Sequence, residues 1–204
     1  MSDFKFTRPN NFPPIIKNLI IINALVFVAQ QAFGLTARFA LWPFGTDLFE
    51  PYQIATHMFS HASIGHIFFN MFALWMFGKD LENRWGPQRF LAFYLACGVG
   101  AAIAHLTVQY FMGGDSFVVG ASGAVMGVLV AFGYLFPNTQ LIVFPIPIPV
   151  KAKWLVMGYI ALDLFGGFGS ISGDNVAHFA HLGGALTGFI LVLIWNKTGK
   201  KRFY

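Results

Sequence analysis

Hydrophobic residues are grouped along the chain in six runs, with short polar or proline-containing segments between them. The runs cover about residues 15–33, 56–78, 90–111, 121–136, 152–166 and 176–195. Most of them approach the roughly 20 residues that an α-helix needs to cross the hydrocarbon core of a bilayer. The pattern predicts an all-α membrane protein, a six-transmembrane-helix bundle with a short central helix 4.

The segments outside these runs divide the chain into one domain and two tails. Residues 1–14 form a polar N-terminal tail, residues 15–195 the six-span domain, and residues 196–204 a basic C-terminal tail. Between the fourth and fifth runs, three prolines predict a stiff, non-helical connection, because proline removes a backbone donor and blocks the helix. These are Pro145, Pro147 and Pro149.

Charged residues are too few for a soluble protein. They make up 10% of the 204 residues, whereas 56% are hydrophobic, and a soluble domain carries about 25% charged residues. The formal net charge of +5 would suggest nucleic-acid binding if the protein were soluble. Here the basic residues are explained by membrane topology, so we expect a lipid bilayer and no nucleic acid as partner.

Basic residues are distributed unequally between the two sides of the predicted bundle. Six spans place both termini on one side, together with twelve of the thirteen lysines and arginines, and only Arg38 falls on the other side. Loops rich in lysine and arginine stay in the cytoplasm. We therefore expect cytoplasmic termini, an outward-opening site and, for so short a chain, a bacterial inner (plasma) membrane.

In this orientation, polar residues of three helices reach a similar depth near the outer side. His66 and Asn70 are one helical turn apart on the second span and share a face, and His181 lies near the start of the sixth. The fourth span begins at Ser122 and has a length of roughly 22 Å, less than the roughly 30 Å of hydrocarbon. Non-helical backbone at that depth must be buried in protein or line a cavity. The sequence predicts a wet, outward-facing cavity with Ser122 at its floor.

Small residues predict close packing of the fourth and sixth spans. Gly123 and Gly127 form one GxxxG pattern, and Gly184 and Gly188 form another. Such patterns let helix backbones approach closely in membranes. The contact would bring His181 within hydrogen-bonding reach of Ser122.

These residue types suit acyl transfer. A serine hydroxyl becomes a nucleophile when a base accepts its proton, and histidine is the usual base near neutral pH. The oxyanion needs donors, which His66, Asn70 and the backbone N–H of Ser122 could supply. No motif ties a carboxylate to His181, although Asp163 and Asp174 are candidates on the outer side, so we predict a Ser–His dyad.

Three motifs carry a resemblance to a known family. They are Gly120-Ala121-Ser122-Gly123, His66-Ile67-Phe68-Phe69-Asn70 with His57 and His61 upstream, and Ala180-His181-Leu182-Gly183-Gly184. Together, over about residues 15–195, they resemble the rhomboid family of intramembrane serine proteases. Each motif alone is weak, but all three in this order are specific.

The resemblance implies a serine endopeptidase that cleaves single-span membrane proteins near the outer end of their transmembrane helix. It implies Ser122 as nucleophile and His181 as general base, with His66 and Asn70 stabilising the oxyanion. Gly120, Gly123, His57 and His61 would support the site. We expect no cofactor and no metal.

Other interpretations remain open at this point. A catalytically inactive rhomboid-like protein could bind transmembrane clients without cutting them, but it would be expected to lose Ser122 or His181. His178 competes with His181 as the base, and we expect it at the rim of the cavity. His57 and His61, with His66, could ligate a metal, although a hydrogen-bonding role under the outer loop is favoured.

Overall fold

The computed structural model describes residues 9–112, 115–143, 146–168 and 175–199. Its elements in chain order are α1 Pro14–Phe33, α2 Thr36–Phe39, α3 Gln53–Thr56, α4 Ile64–Trp85, α5 Pro87–Met112, α6 Ser122–Leu135, β1 Gln140–Val143, β2 Ile146–Lys151, α7 Ala152–Phe168 and α8 Asn175–Gly199. A 3₁₀ turn, His57–Phe59, follows α3 directly. Apart from one two-stranded hairpin the described residues are helical or in loops, which confirms the all-α part of the prediction.

Helix α6 lies at the centre of the bundle. It packs against α4, α5, α7 and α8, and every residue from 123 to 133 is buried. A helix that is apolar on all sides must be surrounded by other elements. The short helix expected from the sequence is therefore the core of the fold, and the surrounding helices fix the position of Ser122 in its first turn.

Helices α6 and α8 meet at their glycines. A Cβ atom at Gly184 would overlap the carbonyl oxygen of Gly123, and one at Gly188 would lie 2.7 Å from the Cα of Gly127. Backbones can approach this closely only where side chains are absent. The predicted contact is confirmed, and it places the first turn of α6 beside the beginning of α8.

Helix α1 is anchored at its N-terminus by a carboxylate from α4. The two oxygens of Glu82, which is buried, accept the backbone N–H groups of Ile15 and Ile16, both at 2.9 Å. The first amides of a helix have no partner within the helix, and a negative charge there is favourable. Pro14 is the first residue of α1 and needs no such partner.

Helix α4 begins later than the sequence pattern indicates. The second run was expected to be helical over 56–78, but the helix spans Ile64–Trp85. Ser63 is the N-cap, with extended backbone and a side-chain oxygen that accepts the N–H of His66 at 3.1 Å. Apolar residues lie on both sides of this cap, with Met58 and Phe59 before it and Ile64 after it, and a hydrophobic run drawn across both therefore misplaces the boundary.

The connection between α6 and α7 is a β-hairpin. Strands β1 and β2 are antiparallel, with Gln140 opposite Lys151 and Leu141 opposite Val150. The expected absence of helix is confirmed, but strand pairing was not anticipated. Prolines are tolerated in β2 because a two-stranded ribbon has only edge strands, on which N–H groups can face outward.

Three of the described helices are long and apolar enough to cross a membrane: Pro14–Phe33, Pro87–Met112 and the part of α8 from His178 to Asn196. Helix α6, Ser122–Leu135, is apolar but shorter. Length and composition alone do not identify α4 and α7 as spans. The six-span arrangement therefore stays a prediction.

The connection between α1 and α4 is held by buried polar side chains. The amide of Gln30 donates to the Ser60 hydroxyl at 2.6 Å, and its Oε1 accepts the N–H of His61 at 3.0 Å. The His57 Nδ1–H donates to the carbonyl of Gln53 at 2.9 Å. The His57 contact agrees with the hydrogen-bonding role expected for its side chain, whereas His61 is held through its backbone N–H and its two ring nitrogens have no hydrogen-bond partner among the described residues.

Both of these histidines are held neutral by their surroundings. Burial lowers the pKa of His57 to about 4. Burial, helped by the neighbouring His66, lowers the pKa of His61 to about 4. Each imidazole therefore has a weaker affinity for protons in the folded protein than in an unfolded chain.

We predict that the folded protein becomes less stable as the pH falls from about 6.5 towards about 4. Unfolded histidine titrates near 6.5, so the unfolded state binds more protons across this window, and protonation favours it. The loss is on the order of 3 kcal/mol per buried histidine at the lower end. Thermal unfolding in detergent at a series of pH values measures it. The His57→Gln variant should show a shallower dependence, and identical pH profiles for the two proteins would contradict the prediction.

The glycine contact generates a second prediction. Gly184→Ala places a methyl group against the backbone of Gly123, and overpacking of this kind costs typically about 1–3 kcal/mol. The melting temperature in detergent should fall by several degrees. Gly158→Ala is the matched control, since a Cβ there meets nothing within 4 Å. If both variants melted at the same temperature, the close contact would not be supported.

Candidate catalytic site

Ser122 is the first residue of α6, and the segment before it is fixed on two sides. Val118 pairs with Leu41 in an isolated antiparallel bridge, and the N–H of Gly120 donates to the carbonyl of His57 at 2.9 Å. Gly120 has φ of 124°, and a Cβ on it would lie 2.8 Å from the His66 ring. A glycine is needed there for both reasons.

His181 connects Ser122 to a carboxylate. Its Nε2 lies 2.8 Å from the Oγ of Ser122, and its Nδ1 lies 3.1 Å from the Oδ1 of Asp163. An ionised carboxylate only accepts hydrogen bonds, so Nδ1 carries the proton and Nε2 is the acceptor. The imidazole is therefore in the tautomer that can take a proton from the serine hydroxyl.

Asp163 changes the predicted dyad into a chain of three residues. It lies on α7, is 8% exposed and accepts from two imidazoles, since the Nδ1 of His178 lies 2.8 Å from the same oxygen. The sequence prediction lacked this link because no motif connects α7 to His181. A usable signal was present, since an acidic residue in an apolar helix needs a partner and marks a functional site. The other candidate, Asp174, lies outside the described residues.

His178 has a contact that the sequence did not indicate. It was expected at the rim of the cavity, and its side chain is 32% exposed, but it also shares the Asp163 carboxylate with His181. Its ring packs against the backbone of α7, where a Cβ on Gly166 would lie 2.5 Å from its Nε2. The glycine thus makes room for the second imidazole.

The structure brings His66 to the serine segment, and Asn70 lies one turn further along α4. The ring of His66 is in contact with Gly120. Asn70 is buried, and its amide donates to the backbone carbonyl of His66 at 3.1 Å. Their part in stabilising an oxyanion remains a prediction.

Gly123 provides space on the other side of the serine. A Cβ on it would overlap the side chain of Ala101 in α5 and would lie 3.4 Å from the carbonyl oxygen of Ala180. Ala180 directly precedes His181. The glycine therefore allows α5, α6 and the start of α8 to meet at the catalytic side chains.

The histidines upstream of α4 do not form a metal site with His66. The rings of His61 and His66 are in contact, with centroids 5.1 Å apart, while His57 bonds to backbone. Among the residues that the structure describes, one group of three possible ligands lies within 4.8 Å of one another, and it consists of Asp163, His178 and His181.

The chain matches the family model of the Rhomboid domain over residues 48–197. RHOMBOID-like protein 12, mitochondrial, from Arabidopsis thaliana is 31% identical over 93% of this chain and 60% of its own. Rhomboid protein 1, mitochondrial, from Saccharomyces cerevisiae is 32% identical over 91% of this chain and 56% of its own. Presenilin-associated rhomboid-like protein, mitochondrial, from Mus musculus is 32% identical over 89% of this chain and 50% of its own. The chain thus spans about half to three-fifths of the length of these curated relatives.

The names of these relatives correct one expectation and support another. All three are mitochondrial, so the expected location in a bacterial inner membrane with cytoplasmic termini is wrong. A bias in basic residues distinguishes the two sides of a membrane but does not identify the membrane. The match to the rhomboid domain covers most of the chain, and these relatives exceed 30% identity over nearly all of it. The chain therefore belongs to the rhomboid family.

Proposed function

We propose that this protein is an intramembrane serine endopeptidase. Its substrates would be single-span membrane proteins, cut near the end of the transmembrane helix on the side where α6 begins. Members of the rhomboid family are generally intramembrane serine proteases. The observation that carries the proposal is the 2.8 Å contact between Ser122 Oγ and His181 Nε2.

The proposed reaction begins with Ser122. Its Oγ attacks the scissile carbonyl while the Nε2 of His181 accepts the hydroxyl proton. The same proton then passes to the leaving amine, and a water activated by His181 hydrolyses the acyl-enzyme. Asp163 accepts the Nδ1–H of His181 throughout, so it positions the imidazole and stabilises the imidazolium.

The oxyanion would be held by donors on two helices. The N–H of Ser122 belongs to the first turn of α6, whose amides have no partner within the helix. His66 approaches the same segment from α4, with Asn70 one turn further along that helix, and the two would add side-chain donors. The contact of His66 with Gly120 supports this arrangement.

The proposed membrane arrangement has six spans. Helices α4, α6 and α7 would be the other three spans beside the three long apolar helices, with α6 at the centre of the bundle. The lipid bilayer would then surround the protein, and the names of the relatives favour a mitochondrial membrane. An inactive rhomboid-like protein that only binds clients is disfavoured, because such a function does not require a serine bonded to histidine.

We expect Ser122→Ala to abolish cleavage of a purified single-span substrate, with a loss of at least about a thousandfold. His181→Ala should cost about as much, because the two residues act as a unit. Ser116→Ala is the matched control, since Ser116 is an exposed serine in the loop before α6, and it should retain activity. A fluorophosphonate should label wild type but not Ser122→Ala. Cleavage by Ser122→Ala at the wild-type rate would refute the proposal.

Asp163→Asn should lower kcat by at least about tenfold while leaving KM within about twofold, because Asp163 acts on the transition state through His181. The variant keeps the shape of the side chain but removes its charge. Asp115→Asn, at an exposed acidic residue before α6, is the control and should match wild type. Steady-state kinetics on the same substrate separates the two constants. A change confined to KM would rule out this positioning role.

A further inference from the structure

The Asp163 carboxylate has more partners than the proposed reaction uses. Proteolysis needs one imidazole on it, His181, yet His178 donates to the same oxygen from one turn earlier on α8. One ring nitrogen of each histidine and a carboxylate oxygen of Asp163 lie within 4.8 Å of one another. Two nitrogens and one oxygen, converging from two helices, form a common ligand set for zinc.

The distances fit a zinc ion with small adjustments. Zinc binds imidazole nitrogen and carboxylate oxygen at about 2.0–2.2 Å in tetrahedral geometry, which puts neighbouring ligand atoms about 3.3 Å apart. The two carboxylate–imidazole separations are 2.8 and 3.1 Å and need to open slightly, whereas the ligand atoms of the two histidines, which lie within 4.8 Å of each other, need to move closer. The histidine side chains, 32% and 26% exposed, have room to rotate towards each other and leave a path for the ion and a water ligand.

We propose that Asp163, His178 and His181 form an inhibitory site for Zn²⁺ and similar N-preferring divalent cations. Imidazole ligands suit zinc, copper and nickel, whereas magnesium and calcium prefer sites made of oxygen. The ion would bridge α7 to α8 beside the serine. Its fourth ligand would be a water molecule.

The inhibitory effect follows from the two nitrogens of His181 and rests on the proposed function. Zinc on Nδ1 of His181 would take the place of the hydrogen that is hydrogen-bonded to Asp163, and that proton would move through water to Nε2. A neutral imidazole bound to a metal through Nδ1 carries its remaining proton on Nε2. Nε2 can then donate to the Ser122 hydroxyl but cannot accept its proton, and the nucleophile loses its base.

Binding can be tested without catalysis on the full chain carrying Ser122→Ala. Titration with ZnCl₂ should give saturable binding at one site per chain, and MgCl₂ should give none. Adding His178→Gln should weaken zinc binding at least about 100-fold, since even outer partners of a metal site contribute 10–100-fold. Adding His66→Gln instead is the matched control, because it removes a histidine near the serine but outside the cluster, and it should leave the affinity unchanged.

Two results would contradict the proposed zinc site. One is equal zinc affinity in the His178→Gln and His66→Gln proteins, and the other is no binding to the Ser122→Ala protein. Cobalt gives an independent measurement on a protein with all three ligands intact. Four-coordinate Co²⁺ should produce visible absorption bands that ZnCl₂ removes, and their absence would contradict the proposed geometry.

The inhibitory part is tested on the wild-type serine. Zinc should slow fluorophosphonate labelling of Ser122, and His178→Gln should require at least about 100-fold more zinc for the same effect. Equal sensitivity of the two proteins would refute inhibition through this cluster. If wild type were not labelled at all, the proposed protease function would fail, while the zinc and cobalt titrations would still decide the metal site.

Discussion

The contact between the backbones of α6 and α8 is the constraint on which the rest of the site depends. Serine has a short side chain, so its hydroxyl can reach a histidine on another helix only if the two helices nearly touch. Gly123 and Gly184 permit this, because a methyl group on Gly184 would overlap the Gly123 carbonyl. The same contact fixes α6 among its neighbours. The packing of α6 and the hydrogen bond between Ser122 and His181 therefore depend on the same glycines, and a substitution of either glycine would affect both.

A second constraint is the presence of an acidic group in an apolar helix. A carboxylate is costly to place at membrane depth unless partners compensate for lost hydration. Asp163 has two imidazole donors, His178 and His181, and it in turn orients the His181 ring that meets Ser122. His181 thus both compensates for the lost hydration of the Asp163 carboxylate and is held in place by it.

Much of this arrangement could be predicted from residue order. The contact between the fourth and sixth helices could be predicted from three features: the small residues, the short fourth run, and the positions of Ser122 and His181 near helix starts. This was possible because the regular geometry of a helix determines which residues share a face. The link to Asp163 could not be derived in the same way. It depends on how α7 is rotated about its axis, and a helix that is apolar on most sides carries little periodic information about rotation. The start of α4 was misplaced because Met58 and Phe59, which precede the Ser63 cap, were counted in the same hydrophobic run as the helix.

The buried length of α6 has a consequence for the membrane itself. Below Ser122 the helix is enclosed by protein from residue 123 to 133, a distance of about 16 Å at 1.5 Å per residue. Moving a small ion through such a layer costs at least several kcal/mol, because nothing replaces its hydration. The proposed hydrolysis would bring water below the membrane surface, and this layer of packed protein would block the passage of ions beneath it. An energised membrane could then contain a hydrolytic enzyme without losing its membrane potential through ion leakage.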